Sequence, residues 1–218
     1  MKENAIHIPL GKITLAANLY IPEEATSLII FSHGSGSSRL SPRNTYVARF
    51  LQKQLAATLL VDLLTEQEDQ LYANRFNIAL LTQRLVSITQ HMHAQDQLKH
   101  LPIGYFGAST GAASALNAAT QLPELIFAVV SRGGRPDMAA ALSKVQSPTL
   151  LIVGSLDTDV ITLNQQAYSL LRCDKKLEIV EGASHLFEEP GKLNEVVALA
   201  SAWFSKQLTK KNKSHVIH

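Results

Sequence analysis

The chain has 218 residues, 46% hydrophobic and 17% charged, with a formal net charge of +2 at pH 7. That balance excludes a disordered protein, predicts one domain with a sizeable core over residues 1–208, and supplies no electrostatic reason for a nucleic-acid partner. A start, Met1-Lys2-Glu3-Asn4-Ala5-Ile6-His7, without a secretory apolar segment, no run of membrane-spanning length, and a single cysteine, Cys173, together predict a cytoplasmic protein with no membrane association and no internal disulfide.

Ile6 to Pro9 and Ile13 to Tyr20, parted by Gly11-Lys12, predict an antiparallel hairpin at a sheet edge. Leu28-Ile29-Ile30-Phe31 reads as a buried strand running into a glycine-serine loop. Ser41-Pro42 then opens a helix, with serine as cap and proline at its first position. Thr58-Leu59-Leu60-Val61 is the next strand, and Thr65 to Gln70 a polar loop. Ile78, Leu81, Leu85 and Ile88 repeat at helical spacing. Ile103–Phe106 is a strand that turns into the small-residue helix Ala112-Ala113-Ser114-Ala115-Leu116. Phe127–Val130 follows, then a short helix, then the strand Thr149–Val153. A helix from about Ile161 to Leu171 leads to the last strand, Leu177–Val180. Val196, Val197, Leu199, Ala200, Trp203, Phe204 and Leu208 mark a final helix, and 209–218, with Lys210-Lys211-Asn212-Lys213, is expected to be a flexible tail.

Apolar strands alternating with helices predict an α/β protein with a mainly parallel sheet covered on both faces. Chemistry in such sheets sits beyond the C-terminal strand ends. Three candidate residues fall there. Ser109 lies in Gly107-Ala108-Ser109-Thr110-Gly111, a G-x-S-x-G turn from strand to helix that lifts a serine hydroxyl clear of the sheet. Asp157 follows the strand Thr149–Val153, and His185 follows Leu177–Val180. A serine hydroxyl needs a base to take its proton and a third group to orient that base, and the order Ser109, Asp157, His185 meets both needs. Asp159 is the alternative acid, sitting further into its turn. Acyl transfer also needs donors for the developing oxyanion. The backbone N–H of Thr110 and that of Ser35 (or Gly36), in His33-Gly34-Ser35-Gly36-Ser37-Ser38, are the candidates.

Arg132, at the catalytic end of Phe127–Val130, is a candidate for binding an anionic acyl substrate. The plainer alternative is an ion pair of Arg132 or Arg135 with Asp137, Asp62 or the Glu66–Asp69 loop. No metal is expected: His91 and His93, two apart on a helix, point to different faces, and His100 lies beyond its end. The glycine loop lacks the Gly-Lys-Ser/Thr of a phosphate-binding loop, so no nucleotide is expected either.

With these stretches in place, the chain resembles the α/β-hydrolase superfamily, specifically dienelactone-hydrolase-like proteins without a large lid. The likeness covers about residues 4–208 and rests on His33 to Arg39, Gly107 to Gly111, Gly154 to Asp157 and Gly182-Ala183-Ser184-His185-Leu186-Phe187. It implies Ser109 as nucleophile, His185 as base and Asp157 as acid. Dienelactone hydrolases proper use cysteine where this chain has serine. The expected function is a serine hydrolase acting on a small-molecule ester, thioester or lactone through an acyl-serine intermediate, without cofactor, as a monomer or homodimer. A serine acyltransferase with the same triad and a non-catalytic binding protein on the same fold are the alternatives.

Overall fold

Strands that bury both faces have no polar face to show, and here the central ones are buried along their whole length and mostly apolar. In the computed structural model, which describes residues 4–216 with side chains to 213, β1 (Asn4–Leu10) and β2 (Ile13–Tyr20) form the antiparallel hairpin. Then come β3 (Ser27–Ser32), α1 (Pro42–Lys53), β4 (Ala56–Val61), α2 (Glu66–Asp69) and α3 (Ile78–His93). The second half comprises β5 (Ile103–Ala108), α4 (Thr110–Gln121), β6 (Ile126–Arg132), β7 (Thr149–Gly154), α5 (Thr158–Leu170), β8 (Lys175–Val180) and α6 (Lys192–Val216). The strands make one sheet in the order β1-β2-β4-β3-β5-β6-β7-β8. It is antiparallel from β1 through β2 to β4 and parallel from there on.

Two apolar layers cover the faces. Leu81, Leu85 and Ile88 of α3, Leu116 and Ala119 of α4 and Ala167 of α5 pack on one side. Val47 and Leu51 of α1, with Val197, Trp203 and Phe204 of α6, pack on the other. Each fully buried Leu, Ile or Phe contributes about 1.5–3 kcal/mol relative to exposure. Alternation along β6 sends Ala128 and Val130 to the α1/α6 side, and Arg132, two residues on, follows them.

Local chemistry sets the boundaries. Ser41 caps α1 by accepting from Asn44 N at 3.3 Å, with Pro42 in the first turn, as expected. The 65–70 segment is not the loop expected: Thr65 and Glu68 form a reciprocal capping box that winds α2, and a 3₁₀ turn, Tyr72–Phe76, follows. The short helix expected before β7 is instead two 3₁₀ turns, Pro136–Met138 and Leu142–Lys144. Helix α5 starts at Thr158, about a turn earlier than expected, because Asp157 stands at its cap position and its carbonyl accepts from Ile161 N at 2.9 Å. Helix α6 runs to Val216, through most of the segment expected as a tail; Ile217 and His218, like Met1, Lys2 and Glu3 of the start, lie outside the described residues. Among the described residues, no helix is long and apolar enough to cross a membrane.

Candidate active site

Strand β5 ends in a turn too tight for ordinary side chains on either side of its serine. A Cβ on Gly107 would lie 2.6 Å from Ala112 Cα, and one on Gly111 would run into the carbonyls of Ser32 and His33. Ser109 itself sits at φ 49°, ψ −124°, the mirror image of a conformation that L-residues prefer. Such a residue costs about 1–3 kcal/mol and persists only where its surroundings hold it. They do: Ser109 N donates to Arg132 O at 3.2 Å, and Ser109 O accepts from Arg135 N at 3.0 Å and Ala112 N at 3.1 Å. The elbow is thereby tied to the loop that follows β6.

The candidate acid, Asp157, and candidate base, His185, come from the two loops beyond β7 and β8, and hydrogen bonds lace these loops together. Ser155 N donates to Val180 O at 2.9 Å, Leu156 N to Ala183 O at 3.0 Å, and Gly182 N to Ser155 Oγ at 2.7 Å. Phe187, buried and at φ 57°, anchors the second loop in the core. The result is a contact of 2.6 Å between His185 Nδ1 and Asp157 Oδ2. With Nδ1 donating to the carboxylate, Nε2 is left as the basic edge. Asp159 sits in the first turn of α5, exposed, and takes no part. Gly133 lies against the imidazole; a Cβ there would be 3.5 Å from His185 Nδ1 and Cε1. The loop after β6 thus bonds the serine backbone and runs beside the histidine ring. No hydrogen bond joins Ser109 Oγ to His185 among the described residues; the bond His185 makes is the one to Asp157.

The glycine-serine loop after β3 closes the other side. A Cβ on Gly34 would be 3.0 Å from Ser109 Cβ and 3.7 Å from its Oγ, so the loop backbone passes close over Ser109. Thr110 N, first in α4, has no intrahelical acceptor. Ser35 N differs from expectation: it donates to Thr110 Oγ1 at 2.9 Å, so it reaches an oxyanion only when that hydroxyl turns away or shares it.

Sequence reasoning gave His33 no role of its own, yet it is the strut of this loop. Its Nε2 accepts from Leu63 N at 3.1 Å and its Nδ1 lies 2.9 Å from Gly34 O, which requires the proton on Nδ1. Burial pushes its pKa below the usual histidine value, against smaller opposing effects of Gly34 and Asp62, so the ring is neutral at pH 7. A histidine between an apolar strand and a glycine loop was the available signal.

Arg132 does not make the expected ion pair. Arg135 pairs with Asp137 at 2.8 Å and Arg39 with Asp62 at 2.5 Å. Among the described residues Arg132, 6% exposed, reaches only Asn44 Oδ1, at 3.3 Å.

No family model matches the chain. The solved dienelactone hydrolase from Anabaena variabilis is 51% identical, with 94% of this chain and 97% of that one aligned at a TM-score of 0.91. Est1E from Butyrivibrio proteoclasticus, 17% identical with 94% and 99% covered at a TM-score of 0.80, shares the fold. Two Mycobacterium tuberculosis sequences named "Putative phosphoribosyl transferase" are 47% identical over 209 residues, 95% of this chain and 47% of theirs. The chain spans about half the length of these curated relatives.

Proposed function

This chain belongs to the dienelactone-hydrolase-like α/β-hydrolases, and on that premise we propose that it is a serine hydrolase that cleaves a carboxylic ester, thioester or lactone through an acyl-serine intermediate. The observation that carries the reading is the 2.6 Å contact of His185 with Asp157, on loops laced beside a serine held at positive φ.

The chemistry follows from the groups present. Substrate places its carbonyl over Ser109, and His185 Nε2 takes the hydroxyl proton as Oγ attacks the carbonyl carbon. Asp157 holds the imidazole in the right tautomer and stabilises the cation that forms. Negative charge gathers on the carbonyl oxygen, facing Thr110 N–H and the glycine-serine loop. As the tetrahedral adduct collapses, His185 returns its proton to the departing alkoxide or thiolate. Water then attacks the acyl-serine, gives its proton to Nε2, and the acid leaves as that proton passes back to Ser109. Serine, imidazole and water supply every proton and electron pair, so no cofactor enters.

Further points bear on this reading. His185 has 38% of its side chain exposed, which gives water access to the acyl-serine. The phosphoribosyl transferase name of the mycobacterial relatives is not carried over, because this chain spans only about half of them. The test is labelling with a fluorophosphonate. One adduct at Ser109 is expected, absent in Ser109→Ala, with acid rather than a transfer product accumulating when alcohols or amines are added. An adduct elsewhere, or none in a folded protein, refutes it.

A further inference from the structure

The loop after β6 has two backbone bonds to the serine elbow and lies beside the candidate base. Ser109 N donates to Arg132 O at 3.2 Å, and Arg135 N donates to Ser109 O at 3.0 Å. A Cβ on Gly133 would be 3.5 Å from His185 Nδ1 and Cε1. Gly134, between these contacts, is pressed against β6 and α4: a Cβ there would be 1.9 Å from Ser131 Oγ and 2.7 Å from Ala112 Cβ. It is also held by a side chain of α5. Asn164 Nδ2 donates to Gly134 O at 3.0 Å and to Val160 O, one turn back in its own helix, at 2.8 Å.

Asn164 is 0% exposed, and packing alone does not account for an amide there. Both of its partners are carbonyl oxygens, so the NH₂ must face them. Its Oδ1, turned away, is buried with no partner among the described residues. A leucine of similar size would bury without leaving an acceptor unpaired. What the amide adds is a bond that no apolar side chain makes, between α5 and the loop after β6. Helix α5 starts at Thr158 with Asp157 in the cap position, and Asn164 lies seven residues beyond Asp157, two turns along the same face. We infer that Asn164 is a positioning residue for the proposed hydrolysis: it ties the helix that presents Asp157 to the loop that holds Ser109 and flanks His185. The inference rests on the hydrolase reading for the reaction and on the two amide bonds for the tie. Acid, base and nucleophile sit on three separate loops, so a shift of the loop after β6 against α5 alters their spacing. A misplacement of about 1 Å costs about a hundredfold in rate.

The experiment compares the full chain with Asn164→Leu, Asn164→Thr and Gln207→Leu. Leucine removes both amide bonds. A helical threonine keeps the bond to Val160 O, four residues back, but is too short to reach Gly134 O, and it carries the test if the leucine variant does not fold. Gln207 is a second buried amide, bonded to Asp174 at 3.1 Å just before β8, at the opposite end of the sheet from the site. Gln207→Leu therefore reports what losing a buried amide does to stability alone. Ester turnover is measured well below each Tm. In both Asn164 variants kcat is expected to fall about tenfold or more with KM changed by less than about threefold, while Gln207→Leu lowers Tm and leaves kcat as it was. Amide hydrogen exchange at Gly133 and Arg135, whose N–H groups bond Ile152 O and Ser109 O, is expected to quicken about tenfold or more in the two Asn164 variants and not in Gln207→Leu. Exchange needs no turnover, so it judges the tie even if Ser109→Ala shows that the serine is not the nucleophile. A wild-type kcat in either folded Asn164 variant, unchanged exchange at both amides, or an equal loss of kcat in Gln207→Leu overturns the inference.

Discussion

Replacing Asp157 by asparagine keeps the shape of the acid, removes its charge and reverses part of its hydrogen bonding. In the wild type, His185 Nδ1 donates to Asp157 Oδ2 at 2.6 Å. In the proposed mechanism His185 takes the serine proton, and the imidazolium and carboxylate centres then stand about 4 Å apart. At an effective dielectric of 20 that attraction is worth about 4 kcal/mol, or roughly three powers of ten in rate. The dielectric is apt because Asp157 is 15% exposed and His185 38%, a partly wet pair. The introduced amide adds a second penalty, since its NH₂ can face Nδ1 and so drive the ring proton to Nε2, the atom that must act as base. Asp157→Asn should therefore lower kcat by about 10³–10⁴-fold, the range seen when a triad loses its acid in this way. A chromogenic ester, with kcat and KM measured separately and Asp159→Asn run alongside, is the assay. If Asp157→Asn keeps a third or more of the wild-type kcat, or if Asp159→Asn falls as far, the assignment of the acid is wrong.

Three other outcomes follow from particular geometries. Ser109→Gly relieves the φ of 49° and should raise stability by about 1 kcal/mol while abolishing turnover, as read by urea denaturation and ester assay; a less stable protein would show that the elbow is not strained. Gly111→Ala drives a methyl into the Ser32 and His33 carbonyls and should cost more than about 2 kcal/mol or prevent folding, whereas a wild-type melting curve would contradict the packing described. His33 is more acidic folded than unfolded, so the unfolded chain binds the extra proton: stability should be level above the ordinary histidine pKa and fall as pH drops below it, towards the lowered folded value. Urea midpoints across that range should show this slope in the wild type and less of it in His33→Asn; equal slopes would remove His33 from the acid limb.

Much of the architecture was legible because the strands that bury both faces are unbroken apolar runs. Leu28–Phe31, Ile103–Phe106, Thr149–Val153 and Phe127–Val130 all lie within parallel strands. Local signals were read unevenly. Ser41-Pro42 declared the start of α1, but the Thr65–Glu68 capping box was passed over because the segment is too short and polar to show an apolar period. Ser109, Asp157 and His185 could be nominated from order and from their places after strands. The meeting of Asp157 with His185 could not, because it depends on Leu156 N bonding to Ala183 O and Gly182 N to Ser155 Oγ, contacts between distant segments.

What the linear chain determined by itself was periodicity, turn chemistry and the order of reactive side chains, all properties of neighbours within a few residues. Only tertiary structure decided which polar groups end up satisfied. Arg135 finds Asp137 two residues away, while Arg132 is carried by the alternation of β6 to a face where it bonds Asn44 Oδ1 and, among the described residues, pairs with no carboxylate. Ser35 N, open on paper, meets the hydroxyl of Thr110. Hydrogen bonds and charges are settled by distance in space and by exclusion of water, and neither quantity exists until the sheet has closed over its helices.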